Sequence, residues 1–260
     1  MSKILIKNVK EFKMENLFVS SKKIILLTFL MAFLNKSFAQ SFLRTQLQYE
    51  RVKASYEEKG KYIEELLKEK GFENKPFQIF IRAFKEEKNL ELWIKSGKNA
   101  EFSLLKTHKI AASSGILGPK RKEGDLQVPE GFYHIDRFNP LSSYYLSLGI
   151  TYPNASDKIL SDKVKPGGDI FIHGSDVTVG CLPLTDELIK EVYLIAVMAK
   201  NYGQEKLEVH IFPFKMEKLD DYKSNPNFIF WQNLAPGYTF FEKNHKLPAI
   251  KVAKDGKYRW

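Results

Sequence analysis

The feature that most constrains what this chain can fold into is the stretch of residues 168–186. A short apolar run over residues 170–172 ends at His173, a segment rich in Gly and Ser follows, and Cys181 stands just before a helix start signal. We predict a strand that ends at His173, a turn that reverses the chain, and a helix with Thr185 as its N-cap. The only cysteine of the 260 residues would then lie close to a histidine.

A cysteine and a histidine in this arrangement are typical of nucleophilic catalysis. The thiolate is the attacking species, and an unperturbed cysteine has a pKa of about 8.5, so a neighbouring imidazole that takes the proton activates it. We expect the helix start after Cys181 to favour the thiolate, and the backbone N–H groups of Gly180 and Cys181 to face an oxyanion. The alternative is that Cys181 is inert, because free cysteine is among the most buried residue types.

Two blocks of the sequence resemble one known family. The run IHGSDVTVGCLPLTD, residues 172–186, looks like the active-site signature of the L,D-transpeptidase catalytic domain family (YkuD-type), in its YafK-like branch. The block GPKRKEGDLQVPEGFY, residues 118–133, is similar to the EGD-x-x-x-PEG-x-Y segment of that family. The resemblance covers residues 76–215.

The resemblance implies a fold and a set of site residues. The fold is mainly β within the α+β class, with mixed β-sheets, one main helix after the cysteine and an N-terminal helix in addition. Cys181 is the implied nucleophile, His173 the proton donor and acceptor, and the Gly174 backbone carbonyl the group that orients His173. No cofactor and no metal is implied. Further candidates for the oxyanion or substrate site are Gly180, Ser175, Thr178 and Tyr133, of which Ser175 and Thr178 are also alternatives for orienting the base.

The implied substrate is a peptidoglycan stem peptide. In that scheme Cys181 attacks the diaminopimelate carbonyl, and the thioester is resolved by an amine, which gives an L,D-crosslink, or by water. Hydrolysis includes carboxypeptidase or amidase trimming and the release of a wall-linked lipoprotein. Most of the wider family carries Ser-His-Gly-Cys, an apolar residue and Arg, but here Cys181 follows Val179-Gly180 and precedes Leu182-Pro183. The second histidine and the arginine are therefore absent, and a non-catalytic wall-binding module stays open as an alternative.

The N-terminal residues indicate export. Lys22 and Lys23 precede an eleven-residue apolar run at 24–34, and Ser37-Phe38-Ala39 offers small residues at the positions that a signal peptidase reads. We predict a signal peptide over residues 1–39, cleaved after Ala39, with Met14 as a possible start. The run is too short to span a membrane, which takes about 20 residues. An uncleaved anchor is the alternative, and only that form would contact the membrane.

The net charge and the expected compartment limit the kinds of molecule that the protein is expected to bind. Residues 1–39 hold seven lysines and two glutamates, so their removal lowers the net charge from +10 to +5. A mild positive excess suits an anionic polymer such as cell wall. No nucleic-acid motif accompanies it, and we predict no nucleic-acid partner. The expected location is the periplasm or cell envelope, where a single unpaired cysteine indicates a reactive thiol or an intermolecular bridge.

The remaining segments give the expected domain organisation. Residues 40–75 are predicted to be helical, residues 76–215 to form the catalytic domain, and residues 216–260, with scattered prolines and aromatics, to be a loop-rich extension. Within the catalytic domain, strands are predicted at 77–84, 90–95, 102–112, 132–135, 144–150 and 207–212, with a helix at 186–201. His108 alternates with lysines and is predicted to face solvent. The run Lys120-Arg121-Lys122 is interpreted as a solvated loop, with contact to a substrate carboxylate as the alternative. Residues 157–165 are interpreted as a polar link.

Overall fold

The structure, a computed structural model, describes residues 42–97 and 99–260. The predicted signal peptide, its cleavage site after Ala39 and the alternative start at Met14 lie outside the described residues. Within the described ranges, no helix combines the length and the apolar character needed to cross a bilayer.

The centre of the fold is one mixed sheet of eight strands in the order β3-β2-β1-β8-β4-β5-β6-β7. The pairs β1–β8 and β6–β7 are parallel, and the other neighbouring pairs are antiparallel. A separate two-stranded sheet joins β9 to β10. The bounds are β1 (Gln78–Phe84), β2 (Asn89–Lys95), β3 (Ser103–Lys109), β4 (Gly131–Asn139), β5 (Ser147–Ile150), β6 (Phe171–His173), β7 (Leu182–Pro183), β8 (Glu208–Phe212), β9 (Lys251–Val252) and β10 (Tyr258–Arg259).

Helices cover the sheet. In the described ranges, residues 42–46 are helical and the longer α-helices are α1 (Glu50–Glu69), α2 (Ala155–Leu160), α3 (Thr185–Asn201) and α4 (Phe228–Asn244). Met216–Tyr222 is a 3₁₀-helix. Helix α3 follows the cysteine and is buried along most of its length, and α1 packs on it. The predicted α+β fold, with mixed sheet pairing, a main helix after the cysteine and an N-terminal helix, is confirmed.

Strand β1 shows how the layers are built. Its alternate residues Ile79, Ile81 and Ala83 belong to the core shared with α1 and α3. Phe80 and Phe84, which share the other face with Arg82, belong to clusters that contain α4 residues. A strand that is buried on both faces needs apolar residues at successive positions, and burying each large apolar side chain contributes about 1.5–3 kcal/mol.

The C-terminal region differs from the prediction. Residues 216–260 were expected to be rich in loops, but they contain the 17-residue helix α4 and the β9–β10 pair. Pro236 lies inside α4, where a proline costs about 3 kcal/mol because it removes a hydrogen bond and clashes with the preceding turn. The buried face of α4, with Trp231, Leu234, Tyr238 and Phe241 at most 4% exposed, offsets that cost by packing on the sheet.

Two shorter segments also differ. Residues 157–165 were interpreted as a polar link, but α2 begins at Ala155 because Asn154 and Asp157 form a reciprocal capping box. The N-cap of α3 is Leu184 and not Thr185, and no side chain caps this helix. Thr185 is instead the first helical residue, with a φ of 71°.

His108 was predicted to face solvent, and this is wrong. It is 2% exposed and pairs across the sheet with Leu90. Neither ring nitrogen has a hydrogen-bond partner among the described residues. Burial, with a smaller contribution from the charge of Lys106, lowers the pKa of His108 to about 4.

His108 therefore makes the stability of the fold depend on pH. Its folded-state pKa lies below the unfolded value of about 6.5, so stability is present above pH 6.5 and is lost as the pH falls toward 4. Between pH 7 and pH 4.5, the free energy of unfolding of wild type should fall by about 2–3 kcal/mol more than that of His108→Leu. Urea unfolding at both pH values measures it.

His245→Gln is the matched control, because this histidine lies at the end of α4 and not in the core. The control should keep the wild-type difference between the two pH values. An equal acid loss in His108→Leu and in wild type would contradict the assignment.

Candidate active site

The two central residues lie at the ends of neighbouring strands of the sheet. Strands β6 and β7 are parallel neighbours, with Ile172 opposite Leu182 and His173 opposite Pro183. Cys181 immediately precedes β7, so it lies next to Phe171, two positions along the sheet from His173. Because side chains alternate between faces along a strand, an extension of β7 by one residue would put the Cys181 side chain on the face of Phe171 and His173. The Cys181 Sγ is 3.7 Å from the carbonyl oxygen of Asp169.

The His173 ring has a defined orientation. Its Nδ1 lies 2.5 Å from the carbonyl oxygen of Gly174, which can only accept, so Nδ1 carries the proton and Nε2 has the free lone pair. The ring of Tyr144 lies against it at a centroid distance of 4.7 Å. The ring is 2% exposed, and this burial lowers its pKa, although the bond to Gly174 acts in the opposite direction. His173 is therefore neutral at pH 7 and able to accept a proton.

The Cys181 thiol does not have the environment that we expected from the helix start. Burial raises its pKa above the ordinary value, and this effect outweighs the backbone hydrogen bond from Phe171 and the charge of Lys120, which both lower it. Helix α3 starts only at Thr185, four residues further on. At neutral pH the thiol is therefore protonated, and a reaction at the sulfur needs a base.

The two N–H groups expected to face an oxyanion already have side-chain partners. The N–H of Gly180 donates to the Ser114 Oγ at 2.7 Å, and that of Cys181 donates to the Thr178 Oγ1 at 2.9 Å. The Thr178 hydroxyl also donates to the Cys181 carbonyl at 2.9 Å. An oxyanion at this position would have to displace the two hydroxyls. Sequence reasoning missed Ser114, because its segment showed only the composition of a loop.

Gly180 itself is required by the turn. Its φ is 92°, and a Cβ would lie 3.0 Å from the carbonyl oxygen of Gln127. Only glycine adopts this conformation readily at such a close approach. The loop before the cysteine thus packs directly on the residue 118–133 block.

A cavity of about 260 Å³ borders Cys181, and His173 is not among the residues that line it. One side is the turn between β1 and β2, a second is the segment after β3, and a third is Cys181 with Leu182. The lining is largely apolar, and Ser113, Ser114, Lys85, Glu86 and Lys88 supply its polar side chains. The remaining lining residues are Ile110, Ala112, Gly115, Ile116, Leu117 and Val128.

Glu130, from the PEG part of the second block, supports this cavity. It is fully buried, and its Oε1 accepts from the Lys85 Nζ at 2.8 Å and from the Gly118 N–H at 2.7 Å. Its Oε2 accepts from the Trp231 Nε1 at 2.7 Å. The Lys85 Nζ also donates to the carbonyl of Val128 at 3.0 Å. Glu130 thus joins the loop to the sheet and to α4.

Asp125, from the EGD part, organises the loop in the same way. Its carboxylate accepts from the N–H groups of Arg121, Lys122 and Gln127, and it pairs with the Lys120 Nζ at 2.7 Å. Lys120 is buried, so the interpretation of the basic run as a solvated loop is wrong for this residue. Lys122 is exposed as predicted.

The structure places Tyr133 away from the cavity at Cys181. Its side chain is 1% exposed, and its hydroxyl donates to the carbonyl of Glu130 at 3.1 Å and to the Asp157 Oδ2 at 3.0 Å. Ser175 lies in the turn after His173, with a φ of 64°. Among the residues that the structure describes, no group of three or more His, Cys, Asp or Glu side chains could hold a metal ion.

Comparison with known proteins identifies the family. No family model matches the chain. "Putative L,D-transpeptidase YafK" of Escherichia coli strain K12 is 37% identical over 184 residues, which span 69% of this chain and 72% of the relative. The protein of the same name from E. coli O157:H7 matches equally. The chain therefore belongs to the YafK-like L,D-transpeptidase family.

The solved structures that match this chain are less similar to it than the two sequence relatives. The helical cell shape determining protein Pgp2 from Campylobacter jejuni matches with a TM-score of 0.41 and 21% identity, over 68% of this chain and 73% of that one. Bd1075 from Bdellovibrio bacteriovorus matches with a TM-score of 0.38 and 21% identity, over 64% and 60%. The family assignment depends on the sequence relatives.

The buried pair Lys85–Glu130 gives a stability prediction. We expect Glu130→Ala to lower the free energy of unfolding by about 3–5 kcal/mol, because it leaves the Lys85 charge buried without its partner. Urea unfolding at pH 7 measures this loss. Glu123→Ala, in the exposed part of the same loop, should change stability by less than about 0.5 kcal/mol. Equal effects of the two substitutions would contradict a supporting role for Glu130.

The raised pKa of Cys181 gives a reactivity prediction. The rate of alkylation by iodoacetamide should rise with pH through an inflection above about 8.5, the ordinary value for a thiol, because only the thiolate reacts. Intact-protein mass spectrometry across pH 5–10 follows the reaction at this single cysteine. An inflection below pH 7 would show a preformed thiolate and contradict the effect of burial.

Proposed function

We propose that this chain is an exported, cysteine-dependent L,D-transpeptidase that acts on peptidoglycan stem peptides. The observation that carries the proposal is the pairing of β6 with β7. This pairing supports a Cys181 side chain on the face of His173, whose Nδ1 lies 2.5 Å from the Gly174 carbonyl oxygen and whose Nε2 lone pair would act as the base. Family membership supports the choice of substrate, because the curated relatives carry the name of an L,D-transpeptidase.

The first half-reaction forms a thioester. His173 Nε2 takes the proton of the Cys181 thiol while Sγ attacks the carbonyl carbon of diaminopimelate in the stem peptide. The tetrahedral intermediate collapses as the bond to the nitrogen of D-alanine breaks. The proton on His173 passes to that nitrogen, so D-alanine leaves as the free amine and the acyl group stays on sulfur.

The second half-reaction regenerates the thiol. An amine of a neighbouring stem peptide attacks the thioester carbonyl, His173 takes the proton of that amine, and the C–S bond breaks. The proton then returns to the Cys181 sulfur, and the product is an L,D-crosslink. Water in place of the amine gives a free carboxylate instead, by the same proton transfers. Where the diaminopimelate carbonyl is joined to an amine of a lipoprotein and not to D-alanine, that amine is the group that leaves in the first half-reaction.

Neutral forms of both groups suit this scheme. Burial raises the pKa of the Cys181 thiol and lowers that of the His173 imidazole, so the resting pair is thiol and imidazole. The base is then in the correct protonation state at neutral pH and needs no prior ionisation. Ser114 and Thr178 hold the N–H groups that an oxyanion would approach, and we propose that the two hydroxyls yield them during the reaction.

Mutation of the pair tests the proposal. We predict that Cys181→Ser and His173→Gln each lower turnover of purified wall fragments by at least about 10³-fold, because the nucleophile or its base is lost. Both variants should unfold within about 1 kcal/mol of wild type, since neither replacement leaves a large cavity. His245→Gln, outside the site, is the matched control and should keep full activity.

Mass spectrometry of the products separates the possible reactions. Joined stem peptides with loss of D-alanine indicate transfer, and shortened stem peptides without joining indicate hydrolysis. If folded wild-type protein binds wall fragments without any turnover, the result would indicate a wall-binding module and not an enzyme. Turnover that survives Cys181→Ser would contradict the proposed chemistry.

A further inference from the structure

The turn after His173 is held in a conformation that its sequence does not favour. Ser175 has a φ of 64°, which costs a residue with a side chain on the order of 1–3 kcal/mol. Contacts from the start of α3 compensate for this cost. The N–H of Ser175 donates to the Asp186 Oδ1 at 2.7 Å, and its carbonyl accepts from the Thr185 N–H at 2.9 Å.

The same carboxylate packs against Gly174. A Cβ built on Gly174 would lie 2.5 Å from the Asp186 Oδ1 and 2.7 Å from the carbonyl oxygen of Tyr144. The Gly174 N–H is shared between the carbonyls of Tyr144 and Leu146, at 3.0 and 3.1 Å. Gly174 is thus fixed on one side by the segment leading into β5 and on the other by Asp186.

The Asp186 Oδ1 accepts a hydrogen bond from the turn and not from an N–H group of its own helix. It lies in the first turn of α3, where no side chain caps the helix and where a negative charge is favoured by the helix dipole. The Leu184 N–H adds a further bond to the carbonyl of His173 at 2.8 Å. The start of α3 is therefore tied to three consecutive residues, His173, Gly174 and Ser175.

The carbonyl between these anchors is the one that orients the catalytic base. It belongs to Gly174, and it lies 2.5 Å from the His173 Nδ1. A rotation of the peptide group between residues 174 and 175 would move both this oxygen and the Ser175 N–H, because the peptide is planar. The bond from that N–H to Asp186 therefore fixes the direction of the carbonyl.

We propose that Asp186 is a positioning residue for His173: its carboxylate holds the peptide between Gly174 and Ser175 so that the Gly174 carbonyl keeps the proton of His173 on Nδ1 and the lone pair on Nε2. Asp186 does not touch the reacting atoms. This inference rests on the proposed function, in which His173 Nε2 is the base.

The variants separate positioning from simple support of the helix. Asp186→Ala removes the acceptor, and Asp186→Asn keeps an oxygen that can accept the same Ser175 N–H but removes the charge. Asp176→Ala changes an exposed carboxylate of the same loop and is the matched control. Turnover of wall fragments gives kcat and KM, and long-range ¹H–¹⁵N correlation spectra show which nitrogen of His173 carries the proton.

We expect kcat of Asp186→Ala to fall roughly 10- to 100-fold, the range that loss of an orienting partner costs at metal-bound histidines, with KM unchanged. Asp186→Asn should recover most of the loss, and Asp176→Ala should match wild type. The spectra should show Nδ1–H in wild type and in Asp186→Asn, and a mixture of tautomers in Asp186→Ala. Wild-type kcat and an unchanged tautomer in Asp186→Ala would overturn the proposal.

A further variant and a further measurement allow the proposal to be tested if Asp186→Ala does not fold or if wild type shows no turnover. If Asp186→Ala does not fold, Asp186→Glu keeps the charge at the helix terminus but displaces the oxygen by one methylene group. Lower kcat at unchanged thermal stability then supports positioning, and unchanged kcat overturns it. If wild type itself shows no turnover, the proposed function fails, while the spectra still decide whether Asp186 controls the tautomer.

Discussion

The hydrogen bond between the His173 Nδ1 and the Gly174 carbonyl is the interaction on which the rest of the site depends. It determines which ring nitrogen can act as a base, and the oxygen belongs to the backbone of the adjacent residue. A backbone carbonyl cannot take the proton, so it orients the ring without competing for the chemistry. Cys181 immediately precedes β7, the parallel neighbour of the strand that ends at His173.

Burial gives this arrangement its electrostatic character. The site lies at the β6–β7 edge of the sheet beside α3, and desolvation disfavours the charged form of both side chains. A protonated thiol reacts slowly with oxidants and alkylating agents, and under the proposed function it would become nucleophilic when the imidazole takes its proton. The Lys85–Glu130 pair and the Asp125 loop stabilise the segments around the cavity that borders Cys181.

Much of the fold could be predicted from the sequence, because the strands of the sheet and the helix α3 carry strong local patterns of apolar residues. The features that could not be predicted depend on tertiary packing. Helix α4 forms although it contains Pro236, because its aromatic face packs on the sheet. His108 is buried although lysines flank it, because the opposite strand presents Leu90. Ser114 reaches the Gly180 N–H from 66 residues away, a contact that no local pattern indicates.

The central claim is that the Cys181 sulfur becomes acylated with His173 as the base. Incubation with a carbapenem, whose strained amide acylates nucleophilic thiols, followed by intact-protein mass spectrometry, tests that step without a natural substrate. A single added mass on wild-type protein, absent in Cys181→Ser and formed far more slowly in His173→Gln, is the predicted result. Folded wild-type protein that gains no mass, or that gains the same mass without Cys181, would contradict the account.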